Sequence, residues 1–145
     1  MAWLSTRTTV MALDVFWPVG RALGRVLQRS DSINWAGLAV DAASWREMLI
    51  CIQPDVALID PLGFGRTSDE LVRLTRSISP DTKVILFVPT ISEPIVQRWY
   101  DAGADACIAK WMVPELIREV IENVQNQIFD RCALSDRVSP LYASA

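Results

Sequence analysis

Short apolar runs alternate along the chain with segments in which apolar residues recur at helical spacing. This alternation predicts a repeating strand–helix pattern. The strands are expected at residues 9–13, 36–40, 56–59, 84–88 and 106–109. The run at 56–59 is apolar throughout, so we expect that strand to be buried on both faces.

A segment of helical period follows each predicted strand. Pro18 opens the first, although Gly20 and Gly24 weaken it because glycine costs backbone entropy in a helix. The other predicted boundaries are capping boxes at 44–47 and 67–70, a start at 92 with a stop at Gly103, and a start near Pro114 with apolar periodicity as far as Ile128.

Strict alternation of strands and helices predicts an α/β fold. The expected architecture is a (βα)5, doubly wound parallel sheet in the flavodoxin-like order 2-1-3-4-5, whose switch point lies between the first and third strands. One domain is predicted over residues 1–128. The segment 129–145 loses the period, so a C-terminal tail or linker is expected there.

Composition narrows the classes of function. The chain has 145 residues, 14 basic and 17 acidic, with a net charge of −3, and this mildly acidic balance predicts no direct nucleic-acid binding. The absence of His excludes imidazole metal sites and His-based catalytic triads within the chain. The three cysteines lack C-x-x-C spacing, and no apolar run is long enough to span a bilayer. A cytoplasmic protein without membrane contact is therefore expected.

Charged residues follow three of the predicted strands. Asp14 comes after the first strand, Asp60 after the third and Lys110 after the fifth. Ligands of such sheets bind at the carboxyl ends of the strands, where two carboxylates can hold Mg²⁺ and a lysine can pair with a phosphoryl oxygen. Spacing alone also permits a simpler interpretation, in which the aspartates start turns and the lysine is a solvated loop residue.

Several motifs closely resemble the receiver domains of bacterial two-component response regulators. They are PDVALID at 54–60, SPDTKVI at 79–85, DAGAD at 101–105, Lys110, and PEL at 114–116. The resemblance covers about residues 8–125 and implies the same (βα)5 fold. It also implies a signalling module in a two-component pathway, and not an enzyme.

The resemblance assigns roles to residues at the strand ends. Asp60 falls on the phosphoacceptor position and Lys110 on the lysine that pairs with the phosphoryl group. Asp14, Asp60 and Leu62 fall on the Mg²⁺-binding positions. The second member of the family's acidic pair is Val15 here, so weak binding of Mg²⁺ is expected.

Two further departures concern the family's conformational switch. Val88 stands where the family has Thr or Ser, and Cys107 stands where it usually has Tyr or Phe. Both ends of the phosphoryl-linked relay are therefore missing. These departures predict an atypical, pseudo-receiver-like domain with weak or no phosphorylation, which regulates an output such as transcription through protein contacts. An ordinary receiver phosphorylated on Asp60 by a histidine kinase is the alternative.

Receiver domains usually dimerise or dock through their helical faces, which suggests a homodimer here. The interface candidates are Arg98, Trp99, Tyr100 and Trp111, with Trp99 equally suited to the core. A histidine kinase or an output domain is the other expected partner. A third hypothesis is a flavodoxin-like cofactor protein, although the loop at 14–18 lacks the glycines and hydroxyls that a flavin phosphate would need.

Overall fold

The computed structural model describes residues 7–62, 68–89 and 93–125. Strands and helices alternate throughout: β1 (Thr8–Leu13), α1 (Trp17–Leu27), β2 (Ile33–Ala39), α2 (Ala42–Ile52), β3 (Val56–Ile59), α3 (Ser68–Ile78), β4 (Lys83–Val88), α4 (Glu93–Asp101), β5 (Ala106–Ala109) and α5 (Pro114–Gln125). All strand pairs are parallel and the sheet order is β2-β1-β3-β4-β5. The predicted fold class is confirmed.

The sheet separates two apolar cores. Side chains alternate across each strand, so neighbours such as Val10 and Met11 enter different cores. One core packs against α1 and α5, and the other against α2, α3 and α4. Every residue of β3 is at most 1% exposed, as its apolar sequence predicts. No helix within the described ranges is long and apolar enough to cross a membrane.

The two glycines of α1 allow this helix to lie unusually close to β2. A Cβ atom on Gly24 would lie 2.6 Å from the ring of Trp35, and one on Gly20 would lie 2.6 Å from a methyl group of Leu38. Both distances are shorter than van der Waals contact. Gly20 and Gly24 therefore weaken α1 as an isolated helix, but its close packing against β2 requires them.

The structure corrects two predicted boundaries. Helix α2 begins at Ala42, because the N-cap is Asp41, whose side chain accepts a hydrogen bond from the Ser44 N–H at 2.7 Å. This bond also lowers the pKa of the Asp41 carboxyl. Strand β2 begins at Ile33, three residues earlier than predicted, because its first part pairs with β1. The capping residue predicted at Thr67 and the domain boundary at 128 lie outside the described residues.

A buried hydrogen bond ties α2 to α3. The indole N–H of Trp45 donates to the hydroxyl oxygen of Thr75 at 3.1 Å, and this hydroxyl donates in turn to the carbonyl of Leu71 at 2.9 Å. Trp45 and Thr75 are both fully buried. Since a buried N–H without an acceptor is costly, this bond fixes how the two helices meet.

Candidate functional site

Asp14, Asp60 and Lys110 each lie one residue beyond a strand. The backbone N–H of each donates to the carbonyl of the last residue of a neighbouring strand, at 3.0, 2.9 and 2.8 Å respectively. These bonds extend the ladders of the sheet by one step. They fix the three backbones at the carboxyl edge, beside the point where the strand order reverses.

Lys110 bridges the two aspartates. Its ammonium donates to Oδ2 of Asp14 at 2.6 Å and to Oδ2 of Asp60 in a similarly close contact. The lysine side chain is 15% exposed, and those of Asp14 and Asp60 are 3% and 5% exposed. Each carboxylate uses its other oxygen locally, Asp14 accepting from the N–H of Phe16 at 2.9 Å and Asp60 from that of Leu62 at 3.0 Å.

The surroundings of Lys110 keep it charged. Burial acts to lower its pKa, but the hydrogen bonds and the charges of Asp14 and Asp60 outweigh burial, so the pKa of Lys110 is raised above its ordinary value. The ammonium also lies 5.8 Å from the centre of the Phe87 ring, within range of a cation–π contact. The site therefore combines two carboxylates with one protein cation.

The residues present fit a divalent cation poorly. Val15, which the resemblance places where the family has a second acidic residue, is 46% exposed and offers no side-chain oxygen. Within the described ranges there is no group of three acidic, Cys or His side chains that could hold a metal ion. The Oδ2 atoms of Asp14 and Asp60 are already bound to Lys110. Mg²⁺ would have to compete with this ammonium for both of them.

Val88 and Cys107, which the resemblance assigns to the switch positions, are apolar and buried. Val88 is 3% exposed and Cys107 is 4% exposed, and both belong to the core that faces α2, α3 and α4. Burial raises the pKa of the Cys107 thiol to about 12, so the thiol is neutral at physiological pH. Neither residue supplies the hydroxyl or the aromatic ring of the family's relay. Thr90, a hydroxyl that follows β4, lies outside the described residues.

Exposed apolar side chains surround this buried ionic cluster. Those beyond the carboxyl ends of the strands lie in loops, apart from Trp17 at the first residue of α1. They are hereafter called the strand-end rim, and each is 43–61% exposed: Val15, Phe16, Trp17, Val40, Leu62, Trp111 and Val113. Of these residues, only Trp111 is among the interface candidates predicted from the sequence. The other members are visible in the sequence as apolar residues beyond strand ends, but periodicity alone does not separate them from core positions.

The interface candidates on α4 differ in exposure. Trp99 is 6% exposed and belongs to the core, so it is not available as a surface anchor. The side chain of Arg98 is 68% exposed, and its guanidinium donates to Asp69 of α3 at 2.8 Å. Tyr100 is partly buried against the same core. Trp111, in the rim, is 50% exposed.

Several solved structures that share this fold come from response regulators. The signal receiver domain of the response regulator NarL from Mycobacterium tuberculosis is 26% identical, with a TM-score of 0.73 over 82% of this chain and 97% of that chain. A LuxR-family response regulator from Aurantimonas sp. is 19% identical, with a TM-score of 0.77 over 84% and 87%. A response regulator from Burkholderia pseudomallei, solved with a phosphorylated aspartic acid and calcium, is 16% identical, with a TM-score of 0.71 over 83% and 70%. No protein-family model and no curated protein sequence matches the chain.

The sheet order and the ionic cluster at the switch point define a receiver-type α/β domain. The motifs that carry Asp60 and Lys110 and the similarity to the mycobacterial receiver agree with this class. The chain has the fold of the receiver domains found in two-component response regulators and is similar to them in sequence motifs at the site.

Proposed function

We propose that this domain is an atypical receiver, which signals through protein–protein contacts with weak or no phosphorylation of Asp60. The observation that carries the proposal is the bridge from Lys110 to both aspartates. A phosphoryl donor must reach an Asp60 carboxylate whose oxygens are bound by Lys110 and by the Leu62 N–H. Lys110 thereby supplies a positive charge at the two carboxylates to which a divalent cation would otherwise bind.

The charge balance supports this assignment. With Val15 in place of an acidic residue, the cluster has two carboxylates, and a single ammonium leaves it one negative charge. A third carboxylate would make the cluster a stronger attractor of a divalent cation, since Mg²⁺ prefers hard, charged oxygen ligands. The metal site through Asp14, Asp60 and Leu62 is therefore proposed to be weak, and no step of signalling is assigned to Mg²⁺.

The absent relay supports the same proposal. A ligand changes a conformational equilibrium only as far as it interacts differently with the two states. Val88 has no hydroxyl to follow a phosphoryl group, and Cys107 has no ring to rotate into the space that such a hydroxyl leaves. Phosphorylation of Asp60 would then change the free-energy difference between an active and an inactive conformation only slightly.

The strand-end rim is consistent with an output through protein contacts. Exposed apolar patches of this kind often mark protein interaction sites, and Trp and Arg recur at interface hot spots. Partners proposed for the domain are a second copy of the chain, a histidine kinase or an output domain. Arg98, Tyr100 and Trp111 are the candidate interface residues, whereas Trp99 is excluded by its burial.

Intact-mass spectrometry after incubation with acetyl phosphate and Mg²⁺ tests the proposal. We expect little or no addition of a phosphoryl group to the natural chain, with Asp60→Asn as the negative control. The double variant Val15→Asp/Val88→Thr restores a carboxylate and a hydroxyl, and we expect it to be phosphorylated more readily. Rapid, near-complete phosphorylation of the natural chain with a change of oligomeric state would instead support the ordinary receiver phosphorylated by a histidine kinase.

A flavin-binding function is the remaining alternative. The loop between β1 and α1 consists of Asp14, Val15 and Phe16, which provide no glycine or hydroxyl for a flavin phosphate. The absorbance spectrum of the purified protein tests this alternative. A yellow protein with flavin absorbance would overturn the receiver proposal, and a colourless one is expected.

A further inference from the structure

A surface groove lies between α1 and β2, on the face of the sheet that packs against α1 and α5. Its volume is about 600 Å³. The lining residues that matter for recognition are Trp17, Arg21, Arg25, Trp35, Leu38 and Val40. Trp17 and Val40 also belong to the strand-end rim, so the groove opens onto that apolar surface. None of its lining residues belongs to the Asp14–Lys110–Asp60 cluster.

The close packing of α1 on β2 fixes the floor of the groove. Gly24 leaves no side chain between the helix and Trp35, so that the indole lies directly beside the helix backbone. Trp35 and Leu38 remain only partly buried after this packing. A large apolar floor is therefore held rigid and left accessible, which is the arrangement that lowers the entropic cost of binding.

The walls of the groove are basic. Arg21 and Arg25 line it, and none of the described residues that line it is acidic. The sequence between Asp14 and Asp31 contains three arginines and no acidic residue, although the whole chain carries a net charge of −3. The Arg21 guanidinium lies 5.4 Å from the centre of the Trp17 ring, which holds a cation and an aromatic plane together at one end of the groove. This local charge favours an anionic occupant.

The length of the groove favours an extended peptide. The lining runs along α1 from Trp17 to Gln28, and at about 1.5 Å per residue this distance is about 16 Å. An extended peptide of about five residues has the same length. A long nucleic acid fits less well, because its phosphates would meet a chain that is acidic overall.

We propose that the groove between α1 and β2 binds a short acidic segment of a partner protein, with its carboxylates on Arg21 and Arg25 and its apolar side chains on Trp35 and Leu38. This binding does not depend on the state of Asp60. The proposed function leaves the binding surface and the partner segment open, whereas here both the surface and the chemistry of the segment are specified.

Fluorescence anisotropy with labelled model peptides tests the proposal on the full chain. The probe is a peptide of about six alternating Glu and Leu residues, matched by peptides in which Lys or Gln replaces Glu. We expect the Glu peptide to bind most tightly and to lose affinity as salt is added. Because exposed ion pairs are individually weak, Arg21→Gln/Arg25→Gln should reduce its affinity about three- to tenfold.

The matched control is Arg46→Gln/Arg73→Gln, which removes two exposed arginines from α2 and α3 on the opposite face of the sheet. This variant should bind the Glu peptide like the natural chain. Trp17→Ala removes a half-exposed aromatic anchor and should also weaken binding. Absence of binding by the Glu peptide, equal binding of the Lys peptide, or equal losses in the two arginine variants would overturn the proposal. Tighter binding of a single-stranded oligonucleotide at the same arginines would overturn it in favour of a nucleic-acid site.

Discussion

Replacing Lys110 with Met tests whether this lysine is the internal counter-ion of the site. Methionine keeps most of the unbranched apolar stem of lysine and removes the ammonium. The change leaves the carboxylates of Asp14 and Asp60, 3% and 5% exposed, side by side without a cation. Each carboxylate still accepts one backbone N–H, from Phe16 and Leu62, which offsets part of the loss.

The expected loss of stability follows from this geometry. Removing one partner of a buried ion pair costs about 3–5 kcal/mol of unfolding free energy. Lys110 is 15% exposed, and both carboxylates keep a backbone N–H donor. We therefore expect a loss near the lower limit, at about 3 kcal/mol. Urea unfolding at neutral pH, followed by tryptophan fluorescence, measures this difference. Because the pKa of Lys110 is raised in the folded state, its contribution to stability is complete below the ordinary value of 10.5 and is lost as the pH rises through the folded value. The unfolding free energies of the natural chain and the variant should therefore converge at strongly alkaline pH.

A double variant and a cation provide the controls for Lys110→Met. Asp14→Asn/Lys110→Met removes one of the two uncompensated carboxylates and should recover part of the lost stability. Added Mg²⁺ should stabilise the single variant more than the natural chain, because the carboxylates are no longer bound to an ammonium. A loss below about 1 kcal/mol, typical of an exposed ion pair, would refute the assignment of Lys110 as the counter-ion. Equal Mg²⁺ effects on the natural and variant chains would contradict it as well.

Three further substitutions or reactions test the packing. Thr75→Val should destabilise the fold by about 1–3 kcal/mol, because the buried Trp45 N–H loses its acceptor, whereas Thr75→Ser should retain most of the stability; urea unfolding of both variants measures this difference. Gly24→Ala should lower the stability by about 1–2 kcal/mol, because overpacking against the rigid Trp35 ring outweighs the gain in helix propensity. Gly20→Ala should lower it less, because the Leu38 side chain can rotate away. Thermal unfolding of both variants measures these losses. Iodoacetamide at mildly alkaline pH should modify the exposed Cys51. Cys107, whose pKa is raised to about 12, should stay unmodified until the protein unfolds. Peptide mass spectrometry measures the modification of each cysteine. Early modification of Cys107 would contradict its burial.

The fold could be predicted from the sequence because its strands are short and apolar and each is followed by a segment of helical period. The run at 56–59 predicted a fully buried central strand, and the structure confirms it. Boundaries were less predictable where two residues compete for one role. Asp41 and Ser44 are both good N-caps, and only the backbone geometry shows that Asp41 caps α2 while Ser44 supplies the N–H that it accepts.

Part of the site could be predicted in the same way. Asp14, Asp60 and Lys110 were expected at one edge of the sheet because each follows a parallel strand, and the structure brings them together. The bridge between them could not be predicted from spacing, since a lysine at a strand end can equally extend into solvent. The groove was also unpredictable, because Leu38 lay in a predicted strand, Trp35 lay just before it, and nothing in the spacing showed that Gly20 and Gly24 bring α1 against both.

The substitution at Val15 and the bridge at Lys110 are connected by electrostatics. A third carboxylate at position 15, where Val15 is 46% exposed, would leave the cluster with two negative charges beside Lys110, and this charge would favour a divalent cation. With Val15 the cluster carries one negative charge, and each carboxylate is satisfied by the ammonium and one backbone N–H. The loss of one ligand thus allows the remaining residues to satisfy one another. A site that is satisfied without metal or phosphate has little free energy to gain from either, and for this reason we propose that the domain signals through protein contacts.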